Sequence, residues 1–258
     1  MAEQKEEKPS FRLSYFGLPG RANSIRVALA VAGFAFEDVF VSFEEHGKAK
    51  AEGKRRWGGL PELTIFDKDG KEVQTIGQSA AQLRYIGRLA GLYGANAMEA
   101  ALIDEFMDAL GDTAGALKTD GVTDKEKQKA LRLAAIAEDG ALTAWLKKLA
   151  VRMEENEKKG NKNGFVVGDT MSIADLFFYG GLSQFISGYF DGIPKDLYSK
   201  MHPRLDNFLK MMNNVDKIKA FNEKFGQRLK DCQDDAKKKD AKVVVYPGKQ
   251  ADIYGAAK

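Results

Sequence analysis

The chain has 258 residues, 44% of them hydrophobic, 10% aromatic and 30% charged, a composition that suits a folded globular protein and excludes a disordered or fibrous one. Its 40 Lys and Arg against 37 Asp and Glu leave a net charge of only +3, which gives no support to nucleic acid as a partner. The length suits two domains, each with a core of its own.

A single cysteine, Cys232, excludes an internal disulfide and fits a reducing compartment. His46 and His202 are the only histidines, so no metal-ligand spacing exists and no metal is expected. Met1 to Ser10 is a charged leader without the apolar core of a secretory signal or anchor. No later apolar run approaches the roughly 18 to 20 residues that span a bilayer. The expectation is a cytoplasmic protein with no membrane span.

In chain order, Phe11 to Phe16 reads as a strand that ends at the turn signal Gly17-Leu18-Pro19-Gly20. Ile25, Ala28, Leu29 and Ala32 then recur at helical spacing, with Gly33 as the stop. Phe36 to Phe43 reads as a second strand, and the polar stretch Glu44 to Gly59, without a clear period, as a loop with room for a short helical turn. Leu63 to Phe66 and Val73 to Ile76 flank Asp67-Lys68-Asp69-Gly70-Lys71, a hairpin signal. Ser79 is a candidate cap for the next helix, which carries Leu83, Ile86 and Ala90. The order so far is βαβ followed by ββα.

From about Asn96 onward helical periodicity takes over. Leu142, Trp145, Leu146, Leu149 and Met153 form one apolar stripe, and Ser172-Ile173-Ala174-Asp175 is a capping-box pattern at the head of an apolar segment reaching about Phe190. Further helices are expected over Pro203 to Met212 and Val215 to Phe225. The remainder is densely charged apart from the short apolar run Val243 to Tyr246. The expected divisions are a leader over 1–10, an α/β domain over 11–91, an all-helical domain over 98–225 and a charged extension over 226–258.

The stretch Leu13-Ser14-Tyr15 through Arg21 to Arg26, with Leu60-Pro61, Gln78-Ser79, Gly168-Asp169 and Ser172 to Asp175 in that order, resembles the cytosolic glutathione S-transferases, and most closely their sigma-like, tyrosine-using branch. The likeness runs from about Phe11 to Phe225. It implies a thioredoxin-like N-terminal domain followed by an all-helical domain, conjugation of glutathione to small hydrophobic electrophiles in detoxification, and a homodimer.

The chemistry requires a thiolate, since a free cysteine thiol is largely protonated at neutral pH. Tyr15 matches the family's hydroxyl donor to the sulfur, and Arg21 an arginine near it. For the tripeptide, the resemblance implies that Gln78 and Ser79 hold the γ-glutamyl carboxylate at a helix start and that Leu60, before a cis Pro61, presents its backbone to the cysteinyl part. It also implies that Lys50 takes the glycine carboxylate and that Asp108, one turn from Asp104, reaches the amine across a dimer interface. Two positions depart from the branch: His46 stands where it has a tryptophan, and Gly59 where it has a glutamine. Lys54, Arg55 and Arg56 add cations nearby. The Phe16 to Pro19 loop, Phe106 and Leu110 are the expected lining of the electrophile pocket.

A cysteine-dependent redox enzyme is disfavoured because the first helix contains no cysteine. A non-catalytic protein that kept the fold, and a glutathione-dependent isomerase or peroxidase, remain as alternatives.

Overall fold

A computed structural model of the chain describes residues 9–117, 119, 121–235 and 243–246; the leader, apart from its last two residues, and much of the charged extension lie outside them. In chain order the elements are β1 (Ser10–Tyr15), α1 (Asn23–Ala32), β2 (Phe36–Phe40), α2 (Phe43–Ala51), β3 (Glu62–Phe66), β4 (Glu72–Ile76), α3 (Ser79–Ala90), α4 (Ala97–Asp112), α5 (Lys125–Ala135), α6 (Ala141–Lys158), α7 (Ile173–Phe185), α8 (Leu197–Met201), α9 (Pro203–Asn213), α10 (Asp216–Asp235) and β5 (Val243–Tyr246). The chain forms two compact units. The first joins the residues up to Ile86 with those from Asp216 onward, and the second is Gly87–Val215.

The first unit is built on a sheet in the order β4-β3-β1-β2-β5. β1 and β2 run parallel, in register from Phe11 opposite Phe36 to Tyr15 opposite Phe40, and α1 supplies the crossover that a parallel pair needs. β3 pairs antiparallel with β1, and β4 with β3 through the hairpin read from Asp67 to Lys71. Alternation places Phe11, Leu13 and Tyr15 on the buried face of β1 and Phe36, Asp38 and Phe40 in the buried phase of β2. Gly33 ends α1 in the left-handed conformation at φ 67°, which only glycine adopts without cost.

Three expectations need correction. The second strand stops at Phe40 rather than Phe43, because Ser42 begins a helix. That helix, α2, lies where the missing apolar period predicts a loop: it buries none of its residues and is specified by its end instead. The Ser42 hydroxyl accepts from the Glu45 N–H at 3.1 Å and the Glu45 carboxylate from the Ser42 N–H at 2.7 Å, satisfying two backbone N–H groups at once. The Ser42 N–H, and then its hydroxyl, hold the Glu45 carboxyl below its ordinary value. The last helix, thirdly, does not stop at Phe225 but continues through Gly226 to Asp235. β5, the apolar run of the charged extension, pairs antiparallel with β2 from Val243 opposite Val39 to Tyr246 opposite Phe36.

The second unit is helical throughout its regular elements among the described residues. Its core is an aromatic stack in which Phe178 of α7 meets Phe106 of α4 and Phe208 of α9, each at 5.1 Å between ring centroids. Gly87 lies against α7 so closely that a Cβ there would stand 2.6 Å from Ile173 Cγ2. The head of α7 is the capping box expected at Ser172. Asp175 is fully buried and accepts from the N–H of Val166, the N–H of Ser172 and the Ser172 hydroxyl at 2.8, 2.8 and 2.9 Å. Burial lifts its carboxyl to about 6 against these bonds, which pull the other way.

Candidate active site

Tyr15 is the last residue of β1 and is 6% exposed. Its hydroxyl oxygen accepts the backbone N–H of Arg21 at 3.1 Å, from the short 3₁₀ turn Gly20–Ala22 that leads directly into α1. The chain can approach so closely because residue 20 is glycine: with φ 42°, a Cβ there would lie 2.5 Å from the Tyr15 oxygen. Oriented in this way, the phenol takes a hydrogen bond on its lone pair and keeps its own proton to donate. The Arg21 side chain is exposed.

On the same unit, the Leu60-Pro61 peptide is cis. Gln82 of α3 donates through Nε2 to the carbonyls of Pro61 at 2.9 Å and Ile76 at 2.6 Å. One amide thus ties the 60–61 segment to the end of β4, immediately before Gln78 and Ser79. Gln78 is exposed and the one non-glycine with positive φ among the described residues, at 65°. Such a conformation costs of order 1–3 kcal/mol and persists only where surroundings impose it, commonly at ligand sites. Ser79 is the first residue of α3.

His46 and Lys50 both sit on α2. The His46 ring meets Phe16 edge-on at 5.3 Å, and Phe43 stacks on Phe16 at 4.5 Å, which places α2 beside the residue that follows Tyr15. Lys50 is exposed, and its Cε lies 3.8 Å from where a Gly58 Cβ would be. Of the neighbouring cations, Arg55 is engaged: its guanidinium and the Arg56 N–H donate to the buried Glu62 carboxylate at 2.8 and 2.9 Å. Lys54 pairs with Glu52 at the surface.

Tyr15, Arg21, His46, Lys50, Leu60, Pro61, Gln78 and Ser79 therefore all belong to the first unit. Asp108 lies on α4 in the second, exposed, while Asp104 one turn earlier accepts the Tyr93 hydroxyl at 2.5 Å. Sequence reasoning missed Gln82, Glu62 and Trp57, whose indole lies against the backbone at Gly77: a Cβ there would stand 2.5 Å from the ring. It also missed Asp38, although a carboxylate in the apolar phase Phe36-Asp38-Phe40 is a readable demand for a cationic partner. Among the described residues, no three His, Cys, Asp or Glu side chains gather as a metal would need, and no helix is long and apolar enough to cross a membrane.

Residues 115–225 match the family model described as the glutathione S-transferase C-terminal domain. Glutathione S-transferase 1 of Ascaris suum is 31% identical over 185 residues, covering 69% of this chain and 82% of that protein. Glutathione S-transferase P of Bos taurus is 29% identical over 215 residues, covering 83% and 91%. In fold, the chain is like the sigma class enzyme of Fasciola hepatica, with a TM-score of 0.70 at 24% identity over 84% of this chain and 97% of that one. The chain belongs to the glutathione S-transferase family, and its fold is the thioredoxin-like domain plus helical domain of that family.

Proposed function

We propose that the protein conjugates glutathione to small hydrophobic electrophiles, with the tripeptide's thiolate stabilised by the Tyr15 hydroxyl. The observation that carries this reading is the Arg21 N–H directed at the Tyr15 oxygen, 3.1 Å away. It holds a buried phenol at the start of a helical segment with its proton aimed elsewhere. The thiol proton leaves to solvent, the phenol donates a hydrogen bond to the resulting anion, and the positive helix start and Arg21 favour that charge. The thiolate attacks the electrophile and the leaving group departs with the electron pair of its broken bond.

Gln78 and Ser79 hold the γ-glutamyl carboxylate at the head of α3, and the strained backbone at Gln78 supports a binding role there. Leu60, beside Pro61, meets the cysteinyl backbone, and Lys50, helped by His46, takes the glycine carboxylate. Asp108 serves the amine within a homodimer. The Tyr15 to Arg26 segment favours the sigma-like branch. The setting is the cytoplasm.

Conjugation to a generic aromatic halide, with glutathione binding measured separately, tests the reading on the protein and on Tyr15→Phe. Loss of one donor to a developing anion costs about 10²- to 10³-fold in kcat; that loss with binding retained is expected. A Tyr15→Phe protein as active as the parent refutes the tyrosine's role, and failure of the parent to bind glutathione refutes the function itself.

A further inference from the structure

Asp38, at the centre of β2, is 0% exposed, and its oxygens are claimed by two arginines from distant parts of the first unit. Arg26 of α1, also 0% exposed, donates from Nε to Oδ1 and Oδ2 at 3.0 Å each. Arg228 of α10 donates from Nη1 to Oδ2 at 2.7 Å and from Nη2 to the Asp38 carbonyl at 2.6 Å.

The remaining Arg26 nitrogens turn toward the site. Nη1 donates to the carbonyls of Leu18 at 2.8 Å and Pro19 at 3.3 Å, and Nη2 to that of Phe16 at 3.3 Å. These three carbonyls belong to the turn that carries the chain from Tyr15 to Arg21. The same guanidinium lies 5.7 Å from the centre of the Tyr15 ring and 4.7 Å from that of Phe225, while Arg228 covers Phe40 at 3.6 Å.

Buried ion pairs contribute little net stability once desolvation is counted, and in some proteins they serve instead to specify one geometry. Here the geometry in question is that of the Phe16 to Pro19 turn. We propose that Arg228 is a positioning residue for the thiolate-stabilising site: by occupying Asp38, it leaves both terminal nitrogens of Arg26 to the turn carbonyls, and so sets where the Tyr15 hydroxyl and Arg21 N–H stand. In its absence the carboxylate draws Arg26 into the two-pronged pair that guanidinium and carboxylate favour, and a terminal nitrogen leaves the turn. Arg228 lies beyond the 115–225 segment shared with the family's C-terminal domain model and 190 residues from Asp38, so no local motif announces it. β5 pairs with the same strand, so the C-terminal part of the chain reaches β2 at two places.

The inference rests on the role given to Tyr15, and its test separates the two. Arg228→Met keeps the apolar stem and removes the fork. In the full chain this variant is expected to bind glutathione with unchanged Kd, to lose most of the ultraviolet absorbance of the bound thiolate, and to lose about ten- to a hundredfold in kcat, the scale of an ångström-sized misplacement. Wild-type absorbance and kcat overturn the inference. If Arg228→Met does not fold, Arg228→Lys carries the test: its single ammonium cannot reproduce the fork that reaches both the Asp38 carboxylate and its backbone carbonyl, so a smaller loss of the same kind is expected and none overturns it. If Tyr15→Phe itself keeps the thiolate signal, the tyrosine role fails on its own. Amide exchange over residues 16–21 then decides, faster exchange in Arg228→Met upholding the positioning role and unchanged exchange ending it.

Discussion

Replacing Asp175 with asparagine makes a quantitative test of the capping box at the head of α7. The folded carboxyl titrates at about 6, against an ordinary value of 3.8, and the dominant cause is burial. Because the folded value is raised, the protonated form is the one the fold favours. Its contribution is complete below about 4, falls as pH rises toward 6, and is absent above. Each unit of difference is about 1.4 kcal/mol, so the wild-type protein gains about 1 kcal/mol relative to the asparagine variant on going from pH 7 to pH 5, and between 2 and 3 kcal/mol by about pH 4. Taking the difference between the two proteins cancels the other carboxylates. At pH 7 the variant also loses acceptor capacity for three donors, those of Val166 and Ser172. Each unsatisfied buried donor costs about 1–3 kcal/mol, offset by removal of the buried charge. Denaturant unfolding at pH 7, 6 and 5 measures both quantities. A wild-type-minus-variant difference that is flat in pH, or that falls toward acid, refutes the reasoning.

Phe178→Ala, at the centre of the stack with Phe106 and Phe208, is expected to lose about 3–5 kcal/mol of unfolding free energy, read from the same denaturant curves. Ser42→Ala removes the capping box of α2 and about 1 kcal/mol of helix stability; because α2 buries none of its residues, the change should appear as weaker glutathione binding in calorimetry more than as a lower Tm. Gly77→Ala drives a methyl to 2.5 Å from the Trp57 ring. The indole is exposed and can swing away, so stability should change little, while Trp fluorescence shifts and glutathione affinity falls because the backbone next to Gln78 moves.

The elements that could be read from the sequence are those whose pattern is local. Ile25 to Ala32 with Gly33, the Asp67 to Lys71 hairpin and the Ser172 to Asp175 box each carry period and punctuation within a dozen residues, and all three are present. α2 was not legible because it lacks an apolar stripe, and only Ser42 and Glu45 mark it. The continuation of α10 past Gly226 was hidden because its partners, Asp38 and the β2 strand, lie far away in the chain, Asp38 being 190 residues from Arg228. For the site, Tyr15, Leu60-Pro61 and Gln78-Ser79 could be named from their neighbours in sequence. The groups that hold them, Gln82, Glu62 and the two arginines on Asp38, act through carbonyls and carboxylates that have no periodicity to betray them.

The first unit is discontinuous in the chain, and its sheet is completed by β5 at Val243–Tyr246. During synthesis the strands β1 to β4 leave the ribosome early, yet Arg228 and β5 follow only after the whole helical unit has been made. At roughly 5–20 residues per second that interval is on the order of ten to thirty seconds. Through it, β2 has an open edge and Asp38 has only one of its two arginines. The nascent protein is therefore most exposed to strand pairing with other chains while its second unit is being translated, and that window closes only when β5 reaches the free edge of β2.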